Sequence, residues 1–250
     1  MEDNEDTNFQ HSPELSVVVL GYRTGSDLEP FVAELVKLLE QERVDYQIVL
    51  VGNYWPSASD NTPELVRELA RRNLKIKPVI KPKEGKMGWD MHSGLAAADG
   101  KYIAIIDGDG QMPADDIIRV YKKIKAGDSD LVKTYREKRL DDPWRKLISY
   151  FYNLFFKILF PGLKARDINS KPKIFTRDFL NKLTLVSNDW FADAEIMIQT
   201  RRLNAKIEEI PTIFKKNEKR PSFIKFPAIF EFIKNLITFR LKEFKKNKKI

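Results

Sequence analysis

The chain has 250 residues, of which 42% are hydrophobic, so it can form one large α/β domain or two small ones with a sizeable core. It has no cysteine and only two histidines, which excludes disulfides, thiolate zinc sites and cysteine nucleophiles, and leaves oxygen atoms as the main ligands for any metal. The net charge of +8 is uneven, because residues 1–14 carry −5 and residues 215–250 carry +9, and this predicts an anionic partner at the C-terminal end.

The acidic residues 1–14 predict a disordered tail, because they contain no apolar run that could join a core. They also lack the basic and apolar regions of a secretory signal peptide. No segment has the run of about 18 apolar residues that a membrane span requires. These features predict a cytoplasmic protein.

Strands and helices alternate over the first half of the chain. Short apolar, β-branched runs predict buried strands at 15–22, 46–53, 76–80, 101–109 and 130–136. Apolar residues at helical spacing predict helices at 27–42, 62–73, 89–98 and 113–127. The alternation predicts an α/β fold with a mostly parallel sheet flanked by helices, and ligands of such sheets bind beyond the carboxyl ends of the strands.

Two segments of the second half are strongly apolar. Residues 147–163 are apolar on nearly every face, which predicts a helix at a membrane interface, with a buried core helix as the alternative. Residues 226–250 predict a basic amphipathic helix that lies on an anionic membrane surface, with an ordinary helix packed on the domain as the alternative.

An acid pair follows the fourth predicted strand, in the stretch "IAIIDGDGQMP". Asp107 and Asp109 are two residues apart, so in an extended segment both carboxylates point to the same side and can approach one hard cation. A polar turn is the alternative interpretation, because Asp-Gly is common in turns.

The flanking residues carry a resemblance to a known family. In order, they are Gly85-Lys86-Met87-Gly88, the helix end at 94–100, and Asp107-Gly108-Asp109-Gly110-Gln111-Met112-Pro113. This order resembles the family 2 glycosyltransferases, and most of all the branch of dolichol-phosphate mannose synthase and the bacterial polyprenyl-phosphate glycosyltransferases. The resemblance covers residues 15–225.

The resemblance implies a GT-A (Rossmann-like) catalytic domain over residues 15–225 that uses a UDP- or GDP-linked sugar donor and Mg²⁺ or Mn²⁺. The implied metal ligands are Asp107, Asp109 and Gln111. The residues implied for donor binding are Gly21, Tyr22, Asn53, Lys86, Asp90, Asp107 and Gly108. Asn53 stands where the family has a base-reading acid, and an amide can still pair with a nucleobase.

The resemblance also implies inverting transfer to a polyprenyl (dolichyl-type) phosphate by an enzyme peripheral to the cytoplasmic face of a membrane. The residues implied for the acceptor phosphate are Arg136, Arg139, Arg145, Ser149, Arg220 and Ser222. The planar, bidentate guanidinium group suits phosphate. In the family's Asp-x-x-Ser-Gly-x-Arg stretch, Lys171 replaces the glycine, and Lys171 or Lys173 stands in for the arginine.

The same resemblance assigns catalytic roles to Asp109, Asp167 and Asp193. A hydroxyl acceptor needs a carboxylate base, for which Asp193 is the candidate, whereas a phosphate acceptor is already anionic and needs none. A saccharide acceptor is the first alternative, although Leu203 stands where that branch carries tryptophan. The second alternative is a non-catalytic binding module with a basic tail. No recognised nucleic-acid motif is present, so no nucleic-acid partner is expected.

Overall fold

The computed structural model describes residues 12–141, 143–217 and 226–247, and in the last range the side chains of 230–244. The strands are Leu15–Leu20 (β1), Tyr46–Val51 (β2), Ile76–Val79 (β3), Tyr102–Asp107 (β4), Leu131–Arg139 (β5), Lys173–Thr176 (β6) and Ile207–Phe214 (β7). The α-helices are Leu28–Gln41 (α1), Thr62–Arg72 (α2), Met87–Leu95 (α3), Asp115–Ala126 (α4), Pro143–Leu159 (α5), Arg177–Leu180 (α6), Ala192–Arg202 (α7) and Phe226–Asn247 (α8).

The seven strands form one sheet in the order β3-β2-β1-β4-β6-β5-β7. Strand β6 runs antiparallel to β4 and β5, and every other pair is parallel. The predicted α/β fold with a mostly parallel sheet is confirmed, and the five predicted strands correspond to β1–β5.

Strands β6 and β7 were not predicted from the sequence. Strand β6 has only four residues, and its first is a lysine. Strand β7 lies at the sheet edge and reads "IEEIPTIF", with two acids and a proline that weaken the pattern of a strand. Both strands are stabilised by pairing with β5, which precedes them by 34 residues or more in the sequence.

Helices cover both faces of the sheet. In β1 every residue is buried, because Val17 and Val19 point to one face and Val18 and Leu20 to the other. The first face packs against α1, α2 and α4, and the second against α3, α7 and parts of α5 and α8. This burial on both sides explains the continuous apolar strands that the sequence displays.

Helices α5 and α8 are each buried along one narrow face. Phe156 of α5 and Leu236 of α8 are fully buried, and Tyr152 packs edge-on against Phe232 with ring centroids 5.5 Å apart. Phe155, Leu159 and Phe239 also pack against the core, whereas other described apolar side chains of these helices are exposed, among them Phe151, Ile158, Phe230 and Leu241. Each helix therefore packs on the domain and also presents an apolar face, and the contact of that face with a membrane stays a prediction. No described helix is long and apolar enough to cross a bilayer.

The predicted acidic tail is wrong at its C-terminal end. The carbonyl of Pro13 accepts a hydrogen bond from the Lys101 N–H at 3.0 Å, and that of Glu14 from the Tyr102 N–H at 2.9 Å. These bonds extend the β1–β4 pairing by two residues, so the tail prediction applies at most to the preceding residues. Residues 1–11 lie outside the described residues, as do Arg220 and Ser222.

Candidate active site

A cavity of about 1530 Å³ lies at the carboxyl ends of β1 and β4. The order of the sheet reverses there, because β2 and β3 follow on one side of β1 while β4 lies on the other. Clefts at such a reversal are the usual ligand sites of α/β sheets. Many of the residues predicted for the site line this cavity, namely Tyr22, Lys86, Asp90, Asp107, Asp109, Gln111, Arg136, Arg139, Arg145, Ser149 and Asp193.

The acidic edge of the cavity is built by the turn after β4. Asp107 ends the strand, and Gly110 follows with φ +69°, a left-handed conformation that glycine adopts without strain. The backbone N–H of Gln111 donates to the Asp109 carboxylate at 3.1 Å, and the Gln111 side-chain amide donates to the Lys215 carbonyl at 3.0 Å. The turn therefore brings Asp107, Asp109 and Gln111 to one wall.

These three side chains fit a divalent metal. They offer carboxylate and amide oxygens, which Mg²⁺ and Mn²⁺ prefer. Across the part of the chain that the structure describes, no three or more acidic or histidine side chains form a closed metal site. The open arrangement suits an ion that takes few protein ligands and completes its shell with phosphate oxygens and water.

A buried chain of charges connects this edge to α7. The Lys171 ammonium lies 3.0 and 3.1 Å from the two carboxylate oxygens of Asp107 and 3.2 Å from Asp193 Oδ2. Asp193 in turn accepts a hydrogen bond from Lys173 at 2.5 Å. The sequence indicated Lys171 only as a candidate stand-in for the family's arginine. Its contacts with Asp107 and Asp193 were not predicted.

The charge chain makes Asp193 a poor general base. Burial by itself raises the pKa of Asp193, but the ammonium groups of Lys171 and Lys173 outweigh burial and hold the pKa below its ordinary value. Burial, only partly opposed by Asp193, lowers the pKa of Lys173 to about 8. A carboxylate held by two lysines accepts a further proton reluctantly, so the geometry favours a positioning role for Asp193.

Asn53 does not reach the cavity, which corrects its assignment as the base-reading residue. The side chain is fully buried. Its amide nitrogen donates to Asp90 at 3.0 Å and to Ser93 at 3.2 Å, while its oxygen accepts from the Lys81 N–H at 2.9 Å. Because its amide is already hydrogen-bonded within the protein, Asn53 positions Asp90 at the cavity wall.

Asp90 lines the cavity and is ion-paired with Lys83. Burial raises the pKa of Asp90 and lowers the pKa of Lys83, with each partner's charge opposing the shift. The Lys83 ammonium also lies 4.2 Å from the centre of the Tyr22 ring. Tyr22, Lys83 and Asp90, with Trp55 nearby on the same wall, form a mixed aromatic and polar pocket beside the acidic edge.

Three arginines line another part of the cavity wall. Arg136 makes a bidentate ion pair with Asp167 at 2.6 and 2.8 Å, and Arg139 makes one with Asp141 at 3.0 and 2.6 Å. Both guanidinium carbons lie 5.4 Å from the centre of the Phe214 ring, at the end of β7. Phe214 was missed by the sequence analysis because β7 was not predicted.

Arg145 adds a third positive charge to this wall. Its Nε lies 3.7 Å from Asp141, which already pairs with Arg139. Burial lowers the pKa of Arg145, Asp141 opposes this, and the neighbouring charges of Arg139 and Arg136 add to the lowering. The arginine remains charged, since its ordinary pKa is above 12. Three guanidinium groups therefore lie beside Asp167 and Asp141, and the charge of Asp109 also acts on Arg145. This cluster of guanidinium groups suits the binding of an anion.

Asp167 supports Arg136 from behind the cavity wall. It is not among the residues that line the cavity, and its two oxygens are occupied by the Arg136 guanidinium. Burial raises the pKa of Asp167, but the charges of Arg136 and Lys133 and the hydrogen bonds of Arg136 bring it well below its usual range. This placement corrects the assignment of Asp167 as a catalytic residue and gives it a positioning role.

Gly21 and Gly108 are explained by packing. A β-carbon on Gly21 would lie 2.9 Å from the Val51 carbonyl, and one on Gly108 would lie 2.7 Å from Leu28. Neither glycine is among the residues that line the cavity, and their role in donor binding stays a prediction. Lys86 does line it, and its ammonium is ion-paired with Glu231 of α8 at 2.5 Å.

The mouth of the cavity is apolar on the side of α5. Leu147, Phe151, Leu154 and Ile158 recur at helical spacing, line the cavity and are between 42% and 67% exposed. Such a stripe on a described helix that also borders a charged cavity suits a substrate that has an anionic head and an apolar chain.

Comparisons with known proteins agree with this site. The model of the family "Glycosyl transferase family 2" matches residues 16–189, more than half of the chain. A dolichyl-phosphate beta-glucosyltransferase of Trichomonas vaginalis is 27% identical over 242 residues, covering 89% of this chain and 72% of the relative. The Dictyostelium discoideum protein of the same function is 26% identical over 218 residues, covering 78% of this chain and 64% of the relative.

Solved structures share the fold at lower identity. Glucosyl-3-phosphoglycerate synthase from Mycobacterium tuberculosis in complex with uridine diphosphate has a TM-score of 0.69 and 18% identity, with 92% of this chain and 79% of that chain covered. A mannosyltransferase from Pyrobaculum calidifontis in complex with GDP-mannose and Mn²⁺ has a TM-score of 0.58 and 16% identity, with 84% and 59% covered. These neighbours identify the sheet and its helices as a GT-A fold. The chain belongs to glycosyl transferase family 2 and is a glycosyltransferase, not a non-catalytic binding module.

Proposed function

We propose that this chain is a metal-dependent, inverting glycosyltransferase that moves a sugar from a nucleoside-diphosphate donor to a polyprenyl phosphate of the dolichyl type at a membrane surface. One observation carries the proposal: a single cavity is lined by the acidic edge, by the three arginines and by the apolar face of α5. Its volume of about 1530 Å³ exceeds that of a pocket for one small ligand, about 300–1,000 Å³, and leaves room for two substrates.

The donor occupies the side of β1 and β4 in this proposal. Asp107, Asp109 and Gln111 hold the divalent ion, Mg²⁺ or Mn²⁺, and Tyr22 and Asp90 border the nucleoside. When bound, the ion offsets the negative charge that develops on the departing diphosphate. Lys86 adds a positive group to the same wall. Its ammonium is ion-paired with Glu231, and in this proposal the donor diphosphate replaces Glu231 as its partner.

The acceptor phosphate lies against Arg136, Arg139 and Arg145 in this proposal, with Ser149 donating a further hydrogen bond. Arg136 and Arg139 are held in place by their carboxylate partners and by Phe214, so their orientation is set before the substrate binds. The apolar chain of the bound acceptor extends from the cavity along the exposed face of α5.

The reaction is a single displacement. An oxygen of the acceptor phosphate attacks the anomeric carbon and forms a new carbon–oxygen bond, while the bond from that carbon to the β-phosphate oxygen breaks and its electrons stay on the leaving diphosphate. Attack from the side opposite the leaving group inverts the anomeric centre. The phosphate is ionised at neutral pH, so no proton has to be removed. This fits an Asp193 that is held by two lysines.

A membrane-associated enzyme is supported by the exposed apolar side chains of α5 and α8. The acceptor class is supported by the relatives that are dolichyl-phosphate glycosyltransferases. We place the protein at the cytoplasmic face of a membrane, as a peripheral enzyme. A soluble phosphorylated acceptor is the alternative that the arginine wall also suits, whereas a plain saccharide acceptor would leave the three arginines without a ligand.

The proposal is tested by incubating the full chain and Mn²⁺ with UDP- and GDP-sugars and either a short-chain polyprenyl phosphate or 3-phosphoglycerate. We expect a glycosylated polyprenyl phosphate with one class of donor. In Arg145→Ala the catalytic efficiency, kcat/KM, for the acceptor should fall about tenfold to a hundredfold, because a hydrogen bond to a charged group contributes about 1.5–3 kcal/mol.

Arg202→Ala is the matched control, because Arg202 is exposed and remote from the cavity lining. It should leave transfer unchanged. Transfer to 3-phosphoglycerate but not to the polyprenyl phosphate would replace the lipid acceptor with a soluble one. Unchanged transfer in Arg145→Ala would contradict the arginine site.

A further inference from the structure

Lys171 is a buried lysine that lines the cavity, at a position where the resemblance predicts glycine. Only 3% of its side chain is exposed, and its ammonium contacts Asp107, Asp193 and, at 3.2 Å, the sulfur of Met87. The backbone beside it is also fixed, because the Thr134 hydroxyl donates to the Lys171 carbonyl at 2.5 Å. The ammonium is therefore held beside Asp107 and Asp193.

Asp107 is the carboxylate that β4 offers to a divalent ion. Its side chain is 37% exposed, so one side faces the cavity, while Lys171 contacts both of its oxygens from the other side. An ion that binds Asp107 meets a positive charge a few ångströms away. The burial of Lys171 limits screening by water, so the repulsion is stronger than between surface charges.

Resting on the function proposed above, we propose that Lys171 sets how tightly this site binds its metal. Its ammonium is a resident counter-ion of Asp107 that weakens the binding of a free divalent ion. The diphosphate of the donor brings the negative charge that offsets both cations. The ion and the diphosphate then bind together, and neither Asp107 nor Asp109 binds the ion tightly beforehand.

The proposal depends on the identity of one side chain. The resemblance left Lys171 and Lys173 as alternative stand-ins for one arginine, and their contacts distinguish them, because Lys171 contacts Asp107. Lys173, two residues later, contacts Asp193 and the Ser170 carbonyl and does not contact Asp107. The two lysines are therefore not equivalent, and only Lys171 competes with the ion.

The test measures Mn²⁺ binding without any substrate, by electron paramagnetic resonance of the free ion and by calorimetry. Lys171→Met keeps the length of the side chain and removes its charge. We expect Lys171→Met to bind Mn²⁺ about tenfold more tightly than the unchanged protein. Lys182→Met, which removes an exposed lysine, should bind Mn²⁺ as the unchanged protein does. Equal or weaker binding in Lys171→Met overturns the proposal.

A second measurement needs no variant. In the unchanged protein, UDP or GDP should raise the affinity for Mn²⁺ strongly. If the free protein binds Mn²⁺ as tightly without a nucleoside diphosphate as with one, the proposal is wrong. The comparison of Mn²⁺ affinities without nucleotide uses neither acceptor nor turnover. It therefore decides the role of Lys171 even if the polyprenyl phosphate proves to be the wrong acceptor.

Discussion

The role assigned to Asn53 differs between the sequence and the structure. It follows a strand at the ligand-binding edge of the sheet, where the resemblance predicts a residue that contacts the nucleobase. In the fold, however, the side chain turns into the protein and joins Asp90, Ser93 and the backbone of Lys81. In the function proposed above, recognition of the nucleobase therefore falls to Asp90 and its neighbours and not to Asn53 itself.

Asn53→Ala should lower the free energy of unfolding by about 1–3 kcal/mol, because it leaves a buried carboxylate oxygen of Asp90 and a backbone N–H without a partner. Denaturant unfolding measures this loss. The preference between UDP- and GDP-sugars should stay the same, as measured by competition between the donors. Asn181→Ala, at an exposed position, is the control and should leave stability unchanged. A switch of donor preference in Asn53→Ala would return Asn53 to the nucleobase site.

Helix α5 packs one face on the core and exposes apolar side chains on the other. Phe156 is fully buried in the core, whereas Phe151 is 56% and Ile158 67% exposed. Helix α8 lies beside it and adds exposed side chains such as Phe230 and Leu241, which are 72% and 56% exposed. Soluble proteins rarely expose apolar surface of this kind without a partner. A lipid-linked acceptor, as proposed above, resides in a membrane, so we propose the membrane as this partner.

The double variant Phe151→Ser, Ile158→Ser should bind phospholipid vesicles at least about tenfold less tightly, because each apolar side chain contributes about 1.5–3 kcal/mol when it leaves water. Flotation with vesicles measures the binding. The thermal midpoint should change little, since these side chains are already exposed. Leu74→Ser is the control, because Leu74 is 99% exposed on another part of the surface. Equal flotation of the double variant and the unchanged protein would exclude this face from membrane contact.

At the scale of the whole molecule, the cavity joins elements that are far apart in the chain. The end of β4 supplies the acids, the end of β5 and the start of α5 supply the arginines, and the loop before β6 supplies Lys171. The site is therefore complete only when the sheet is formed. Ligands that fill it must stabilise the entire fold, because they bind the folded chain and not the unfolded one.

A matching nucleotide sugar with Mn²⁺ should raise the thermal midpoint of the full chain. Ligand at about 100 times its dissociation constant adds about 2.7 kcal/mol to the free energy of unfolding. A scan of UDP- and GDP-sugars by thermal unfolding would identify the base. The increase should disappear with EDTA and in Asp109→Ala, while Asp128→Ala, at an exposed acid, keeps it. An equal increase with EDTA would contradict the role of the metal.

Much of the framework could be predicted because it depends on neighbours in the sequence. The β-branched runs of β1 and β4 and the apolar spacing of α1 and α4 are local patterns, and the acid pair with its flanking motifs is a short continuous stretch. These sufficed for the fold class, the family and the cavity wall at Asp107. The arginines were also found, because they follow a recognisable strand.

The remaining contacts depend on tertiary structure because their partners are distant in the chain. Lys171 and Asp107 are 64 residues apart, and Asn53 and Asp90 are 37 apart. Strands β6 and β7 exist because β5 offers them an edge, and β7 then brings Phe214 to the arginines. Local sequence thus determined the order of the elements and the chemistry of their ends, whereas long-range pairing and burial decided which of those ends meet, and whether a polar side chain faces substrate or the core.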